Sequence, residues 1–243
     1  MRGATPEGAR NPREAASQVR GMFARVARRY DLANHLLSFN IDRYWRAHAA
    51  QRAAAVLARP EARVLDICCG TGDLALALAK RSACPVLGAD FCHPMLVSAR
   101  GKLERRQSRA AVFEADALRL PVRDGALDLI TVAFGFRNLA DYDAGLREMR
   151  RVLGPGGTAA ILEFSQPPNP AFAAVYNFYS RRILPLIGGA ISGSPDAYRY
   201  LPESVRKFPT APELASEMRK AGFANVSYEY LTGGVVALHL GKA

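Results

Sequence analysis

The chain has 243 residues, 49% hydrophobic and 23% charged, enough for one α/β domain with a sizeable core. No apolar run approaches the roughly 18 to 20 residues of a bilayer span, and no apolar signal core opens the sequence, so a spanning or exported protein is not expected. The net charge is +11, and residues 1 to 59 carry eleven arginines against Glu7, Glu14, Asp31 and Asp42. Such a surplus suits an anionic membrane surface or nucleic acid, and equally a solvated arginine-rich face. Cys68, Cys69, Cys84 and Cys92 form no C-x-x-C pair or zinc spacing, so no metal is expected, and free thiols fit a reducing cytosol.

Residues 1 to 14 are polar and aperiodic and are expected to form a disordered tail, with one domain over 15–243. Helical, Ala- and Arg-rich patterns run over 15–33 and 43–57, giving an N-terminal helical segment over 15–60. Between them, Tyr30-Asp-Leu-Ala-Asn34 and Ser38 to Trp45 are unusually dense in aromatic and hydrogen-bonding side chains for a linker.

The segment Arg63 to Ala75 is the most informative. An apolar strand reaches Asp66-Ile67, Gly70-Thr71-Gly72 makes a tight turn, and a helix starts near Leu74. In an open α/β sheet this turn lies at the carboxyl end of a central strand, where ligands bind. Gly70, Gly72 and Ala75 also satisfy dinucleotide spacing. Asp66 tilts the reading toward S-adenosylmethionine (SAM), because a carboxylate there attracts a cationic aminoacyl group and repels a pyrophosphate. A second strand, Cys84 to Asp90, ends in an acid placed for ribose hydroxyls. A third, Ala110 to Glu114, leads to Asp116-Ala117, placed for an adenine amino group.

Residues 128–134 read as a fourth strand and 144–153 as a helix stopped by Gly154-Pro-Gly-Gly157, with a fifth strand over 158–164. Residues 165–208 break this rhythm: an apolar-aromatic helix over 171–187 is followed by a loop-like stretch over 188–199. Insertions of this size are usually functional. A helix over 211–221 and strands over 225–231 and 235–240, joined by Thr232-Gly-Gly234 as a hairpin, complete the chain. The fold expected is α/β: a doubly wound, mostly parallel seven-stranded sheet with an antiparallel C-terminal strand, an N-terminal helical segment and an inserted lid helix.

Several segments together resemble the quinone-biosynthesis C-methyltransferases that act on demethylmenaquinol and ubiquinone precursors. They are Tyr30 to Asn34 with Ser38 and Trp45, Val64 to Asp73, Phe134-Gly-Phe-Arg-Asn138, Glu148 to Gly157, Glu163-Phe-Ser165, Tyr198 to Arg206 and Thr232 to His239. The Phe-Gly-Phe-Arg-Asn and Tyr-Arg-Tyr-Leu segments are the particular ones. The resemblance implies SAM held by Asp66, Gly70, Thr71, Gly72, Asp90, Asp116 and Ala117, with Ala133 where some members contact the cofactor through serine. Ala33, Asn40 and Asp42 also depart from the family's usual residues.

In such chemistry a ring carbon becomes nucleophilic when the neighbouring phenol loses its proton. A cation or base beside the nascent phenolate then accelerates transfer. Arg137 and Asn138 are the catalytic candidates, one stabilising the phenolate and the other orienting a substrate oxygen; pairing of Arg137 with a carboxylate is the structural alternative. Asp31, His35, Asp42 and Tyr176 are secondary candidates for the base. Tyr30, Asn34, Tyr176, Tyr179 and Tyr200 are the expected substrate contacts, and the inserted helix would line a slot for the polyprenyl tail or form a homodimer contact. Arg181 and Arg182 beside it suit peripheral docking on the inner face of the plasma membrane. The absence of an Asn/Asp-Pro-Pro-Tyr/Phe element argues against nucleic acid. A methyltransferase acting on RNA or another small molecule remains the alternative.

Overall fold

The protein is described by a computed structural model that covers residues 3, 4, 6, 8–27, 29–183 and 195–243. Its centre is a seven-stranded sheet: β1 (Val64–Ile67), β2 (Val86–Asp90), β3 (Ala111–Glu114), β4 (Leu127–Ala133), β5 (Leu153–Phe164), β6 (Ala224–Leu231) and β7 (Val236–Lys242), in the order β3-β2-β1-β4-β5-β7-β6. β1 pairs in parallel with β2 and β4, β2 with β3, and β4 with β5, while β7 runs antiparallel to both β5 and β6. The strand order reverses between β1 and β2 on one side and β4 on the other, the crevice where open α/β sheets bind ligands. The expected fold class therefore holds, hairpin included.

Before the sheet come α1 (Pro12–Val26), α2 (Tyr30–Leu37), α3 (Ile41–Arg52) and the short α4 (Ala54–Leu57). Between strands lie α5 (Asp73–Ala79), α6 (His93–Arg105) and α7 (Tyr142–Val152); α8 (Pro170–Phe178) runs on as one π turn over Tyr179–Ile183, followed by α9 (Pro195–Lys207) and α10 (Ala211–Lys220). Two apolar layers sandwich the sheet. One gathers Trp45, Leu57, Leu74, Leu78 and Leu238, the other Ile67, Ile130, Phe136, Leu146, Met149 and Met218. Every residue of β1 is buried, as a strand covered on both faces requires. Burying one such Leu or Ile contributes about 1.5–3 kcal/mol.

Local chemistry sets the helix starts. Asn11 accepts from Glu14 N–H ahead of Pro12, Asp141 accepts from Ala144 N–H, and Thr210 with Glu213 forms a capping box.

Four boundaries differ from the sequence reading. The helix expected over 15–33 breaks after Val26, and the break turns Tyr30 back onto Phe23, edge to face at 5.9 Å. Part of the stretch expected to be a disordered tail over 1–14 is ordered. Helix α1 already begins at Pro12, and Ala4 N–H donates to Leu139 O at 2.7 Å. β5 begins at Leu153, not after the glycines, because Leu153 already pairs with Leu127 and Gly156 supplies the positive φ (73°) the strand needs there. Residues 195–199, expected as loop, belong to α9; the Gly, Ser and Pro content just before it masked the helix start. Residues 184–194, which hold the end of the expected lid helix and most of the loop, lie outside the described residues.

Candidate cofactor and substrate cavities

At the carboxyl end of β1 the chain turns through Cys68, Gly70 and Gly72, all with positive φ (49°, 54° and 83°), and Gly72 caps α5. The end of β4 comes close: a Cβ built on Gly135 would lie 2.4 Å from Cys68 Cβ. Between these turns and the ends of β2 and β3 opens a cavity of about 970 Å³, partly open to solvent. Of the expected cofactor residues, Asp66, Gly70, Thr71, Asp90, Asp116, Ala117 and Ala133 line it. Gly72 does not; its role is the backbone turn.

The acids differ in their bonding. Asp66, 1% exposed, accepts from the Thr131 hydroxyl at 2.8 Å through Oδ1, while its Oδ2 is buried without a partner. Burial pushes its carboxyl up to about 7, against the hydrogen bond from Thr131 and the nearby Arg46 charge. Asp90 accepts from Gly70 N–H and Cys92 N–H, both at 2.8 Å, and burial still raises its pKa. Asp116 Oδ1 accepts from Leu118 N–H at 2.9 Å. The Thr71 hydroxyl is already committed, donating to Asp31 at 2.5 Å and accepting from Lys102 at 3.1 Å.

A second cavity, about 1160 Å³, lies between α2, α3, α8 and the ends of β4 and β5. Tyr30, Asn34, Tyr176, Tyr179 and Tyr200 all line it, as does Arg137. Apart from these groups its wall is largely apolar, including Leu37, Phe39, Trp45, Phe164 and Val235. Phe23, Tyr30, Arg46 and Phe134 line both cavities and form the wall they share.

Arg137 is buried, and its Nη1 donates to Glu163 Oε1 at 2.7 Å and to Phe134 O at 2.6 Å, while Nε donates to Ser204 at 3.3 Å. Burial opposes its charge, but the Glu163 carboxylate, together with Tyr30 and Tyr200, outweighs that and holds the guanidinium's pKa above its ordinary value. The carboxylate pairing weighed as the structural alternative is thus present, together with a place on the cavity wall. Asn138 lines the first cavity and not the second, and its Oδ1 is buried without a partner.

Two of the secondary bases are poorly suited. Burial pushes Tyr176 up to about 12, so it keeps its proton at neutral pH. Burial works against the Asp42 charge, but Ser38, Arg46 and His35 outweigh it and hold the carboxyl below its usual range. His35 Nδ1 lies 2.8 Å from Asp42 Oδ2 and its Nε2 lies 3.9 Å from Asp73. This trio has metal-ligating atoms within 4.8 Å of one another, yet Arg46 already pairs with Asp42 and Lys102 with Asp73 and Asp31. It is an ion-pair network joining α2, α3, α5 and α6.

Sequence reading missed Arg46 and Lys102, and gave Phe134 a place in a motif but no role in the site. Arg46 carried a signal, standing one helical turn after Asp42. Lys102 carried none, because its partners Asp31, Thr71 and Asp73 come from distant segments.

The first cavity fits SAM on its own chemistry. A buried carboxylate oxygen and a buried amide oxygen, both unpartnered, await a cationic donor, and three acids would repel a pyrophosphate. Solved structures share the sheet. A SAM-dependent methyltransferase from Thermotoga maritima superposes with a TM-score of 0.62 at 18% identity, over 92% of this chain and 99% of its own. The [4+2]-cyclase SpnF does so with 0.60 at 17% identity, over 81% and 80%, so the fold alone does not specify methyl transfer. Sequence relatives are more specific. The chain is 52% identical to a demethylmenaquinone methyltransferase of Thermus thermophilus, over 90% of this chain and 99% of that protein. It is 47% identical to one from Deinococcus radiodurans, over 92% and 91%. It is 45% identical to a ubiquinone/menaquinone biosynthesis C-methyltransferase of Syntrophotalea carbinolica, over 92% and 93%.

These relatives, on a sheet order and glycine turn that agree with them, make this an enzyme of the SAM-dependent methyltransferase class. Within that class the chain belongs to the ubiE/COQ5 methyltransferase family, which matches residues 11–243.

Proposed function

We propose that the protein transfers the SAM methyl group to a ring carbon of a polyprenylated hydroquinol, turning a demethylmenaquinol into a menaquinol. The observation that carries this is the shared wall. An acid-lined cavity and a larger, more apolar one meet at Tyr30 and Phe134, so that a donor in one and an aromatic acceptor in the other would face each other. The names of the Thermus and Deinococcus relatives favour the naphthoquinol ring. The name of the Syntrophotalea relative keeps a benzoquinol ubiquinone precursor as a second substrate.

SAM, when bound, supplies an electrophilic methyl group on a cationic sulfur. The unpartnered Asp66 Oδ2 and Asn138 Oδ1 would take its ammonium, Asp90 its ribose hydroxyls, and Asp116 with Ala117 its adenine. The Gly70 and Gly72 turn keeps side chains out of the way. Arg137 would donate through Nη2, which has no hydrogen-bond partner among the described residues, to a ring oxygen. The buried Tyr200 hydroxyl, also unpartnered, would share that oxygen or a water beside it. Tyr30, Asn34, Tyr176 and Tyr179 would frame the ring and the first isoprene units. Exclusion of water by this apolar wall strengthens each charge contact.

The tail would leave past Phe39, which lines the second cavity and is 75% exposed. Leu32, Leu36, Tyr44, Val175 and Phe178, on α2, α3 and α8, are also exposed. No helix among the described residues is long and apolar enough to cross a membrane. This face, with the exposed Arg43 and Arg182, suits peripheral docking on the inner leaflet of the plasma membrane; a homodimer through α8 is the competing use of the same face.

The test is turnover. Purified protein with SAM and a reduced short-chain demethylmenaquinol should yield ring-methylated product, and the benzoquinol precursor assayed in parallel ranks the two rings. No product from either reduced ring would overturn the reading.

A further inference from the structure

Among the described residues the shared wall contains one cation, and it is not Arg137. Arg46 lines both cavities, whereas Arg137 lines only the second. Arg46 is 8% exposed, and its guanidinium carbon sits 5.1 Å from the centroid of the Phe134 ring. Arg137 stands in the matching position over Phe164, at 5.2 Å, and the two phenylalanine rings are 4.8 Å apart. Two buried arginines are thus set on neighbouring faces of one aromatic pair, and Tyr30 feels the charge of both.

A hydroquinol has two oxygens, para to each other across the ring, and only one of them adjoins the carbon that takes the methyl group. That carbon must face the donor, so its neighbouring oxygen lies at the junction of the cavities and the other lies deeper in the second. We propose that Arg46 is the cation that stabilises the reacting oxygen, while Arg137 holds the para oxygen. The assignment rests on the proposed hydroquinol substrate and refines how that substrate is held.

The groups available support this division. Arg46 uses only Nη1 for protein contacts, to Asp42 Oδ2 at 2.5 Å and Asp42 O at 3.2 Å, leaving Nη2 and Nε without partners among the described residues. Its partner Asp42 is itself shared with Ser38 at 2.7 Å and His35 at 2.8 Å, so Arg46 is only partly neutralised. Among the described residues Arg137 shares Glu163 with no other side chain, and it is the better neutralised of the two. A cation beside a developing oxyanion in a water-poor site lowers the barrier more than the same contact in water. In the reaction the ring hydroxyl gives up its proton to water, and the adjacent carbon bonds to the methyl as the sulfur–carbon bond breaks and S-adenosylhomocysteine leaves. The proton on that carbon then passes to water, restoring the aromatic ring as a phenolate that takes one proton back, for a net release of one. Arg46 would act on the first of these steps.

The experiment pairs each arginine with the oxygen it faces. Arg46→Gln, Arg46→Lys and Arg137→Gln are assayed on a prenylated 1,4-naphthalenediol and on the analogue lacking the hydroxyl para to the reacting one. Wild-type turnover of the diol comes first and tests the underlying function separately. Arg46→Gln should lower kcat about 100-fold on both substrates and move the alkaline rise of kcat to higher pH by a unit or more, with Arg46→Lys recovering most of the shift. Arg137→Gln should be costly on the diol and nearly neutral on the analogue. Asp42→Asn, which removes the neutralising carboxylate, should move the rise to lower pH, a direction that loss of structure does not produce. S-adenosylhomocysteine binding verifies that each variant keeps its fold. The proposal is overturned if the two arginines exchange behaviour, or if Arg46→Gln binds S-adenosylhomocysteine normally and leaves the pH profile where it was.

Discussion

The Thr131 hydroxyl donates a 2.8 Å hydrogen bond to Asp66 Oδ1 and leaves the other carboxylate oxygen buried and unpaired at the end of β1. A group held this way destabilises the empty protein, and a bound cation relieves the cost. The carboxyl sits at about 7, against an ordinary value near 4. Between those two pH values the unfolded chain has released this proton and the folded chain has kept it, so stability falls as pH rises through the window and levels off above about 7.

Asp66→Asn should therefore make the ligand-free protein more stable at pH 8, by an amount on the order of 2 kcal/mol in chemical denaturation. The same change should weaken S-adenosylhomocysteine binding about 10- to 100-fold. In the wild type that binding should strengthen from pH 6 to pH 8, because the ligand's ammonium favours the charged carboxylate; in the variant it should be flat. Calorimetry at the two pH values checks both, and equal pH dependence in the two proteins would refute the role given to Asp66.

Glu163→Gln leaves the Arg137 guanidinium buried without its counter-ion. Breaking a buried pair from one side costs about 3–5 kcal/mol, so the urea midpoint should fall by a correspondingly large margin. A change below about 1 kcal/mol would mean that water reaches this pair, contrary to its burial.

Gly135→Ala introduces a methyl where Cys68 Cβ lies 2.4 Å away. The turns after β1 and β4 must then separate, and both line the first cavity. S-adenosylhomocysteine affinity should drop at least 10-fold and the melting temperature should fall by several degrees, consistent with an overpacking cost of about 1–3 kcal/mol. Unchanged affinity would show that the close approach of these turns does not shape the cofactor cavity.

Phe39→Asp removes an exposed ring at the mouth of the second cavity. Sedimentation with anionic vesicles should fall severalfold, and turnover of a long-tailed substrate embedded in them should fall with it. Turnover of a short-tailed substrate in detergent-free buffer should change less than twofold. Equal losses on both substrates would assign Phe39 to the ring pocket and not to a membrane contact.

The sheet was legible in the sequence because its strands are short apolar runs ended by acids or glycines, and those endings are also what places Asp66, Asp90 and Asp116 around one cavity. The five expected substrate residues converge although they come from α2, α8 and α9, because motif resemblance carried information that periodicity lacks. Which cavity each of Arg137 and Asn138 lines was not legible: the 3₁₀ turn over Phe136–Asn138 carries Arg137 toward β5 and Asn138 to the first cavity, and residue spacing does not report that rotation. The break between α1 and α2 was likewise illegible, since no Gly or Pro marks it in the sequence, and the Tyr30–Phe23 ring contact across it is tertiary. Arg46 and Lys102 looked like part of a general basic excess until tertiary structure gave them carboxylate partners.

The central claim is that a ring carbon held in the second cavity receives the methyl group from a donor in the first. The direct measurement uses SAM with a deuterated methyl group, a reduced short-chain demethylmenaquinol, and NMR with mass spectrometry of the product. One deuterated methyl on carbon, with loss of the single quinol-ring aromatic proton and both oxygens still unsubstituted, is the expected result. A deuterated methyl ether would contradict the claim, as would an unlabelled quinol recovered from protein that binds S-adenosylhomocysteine.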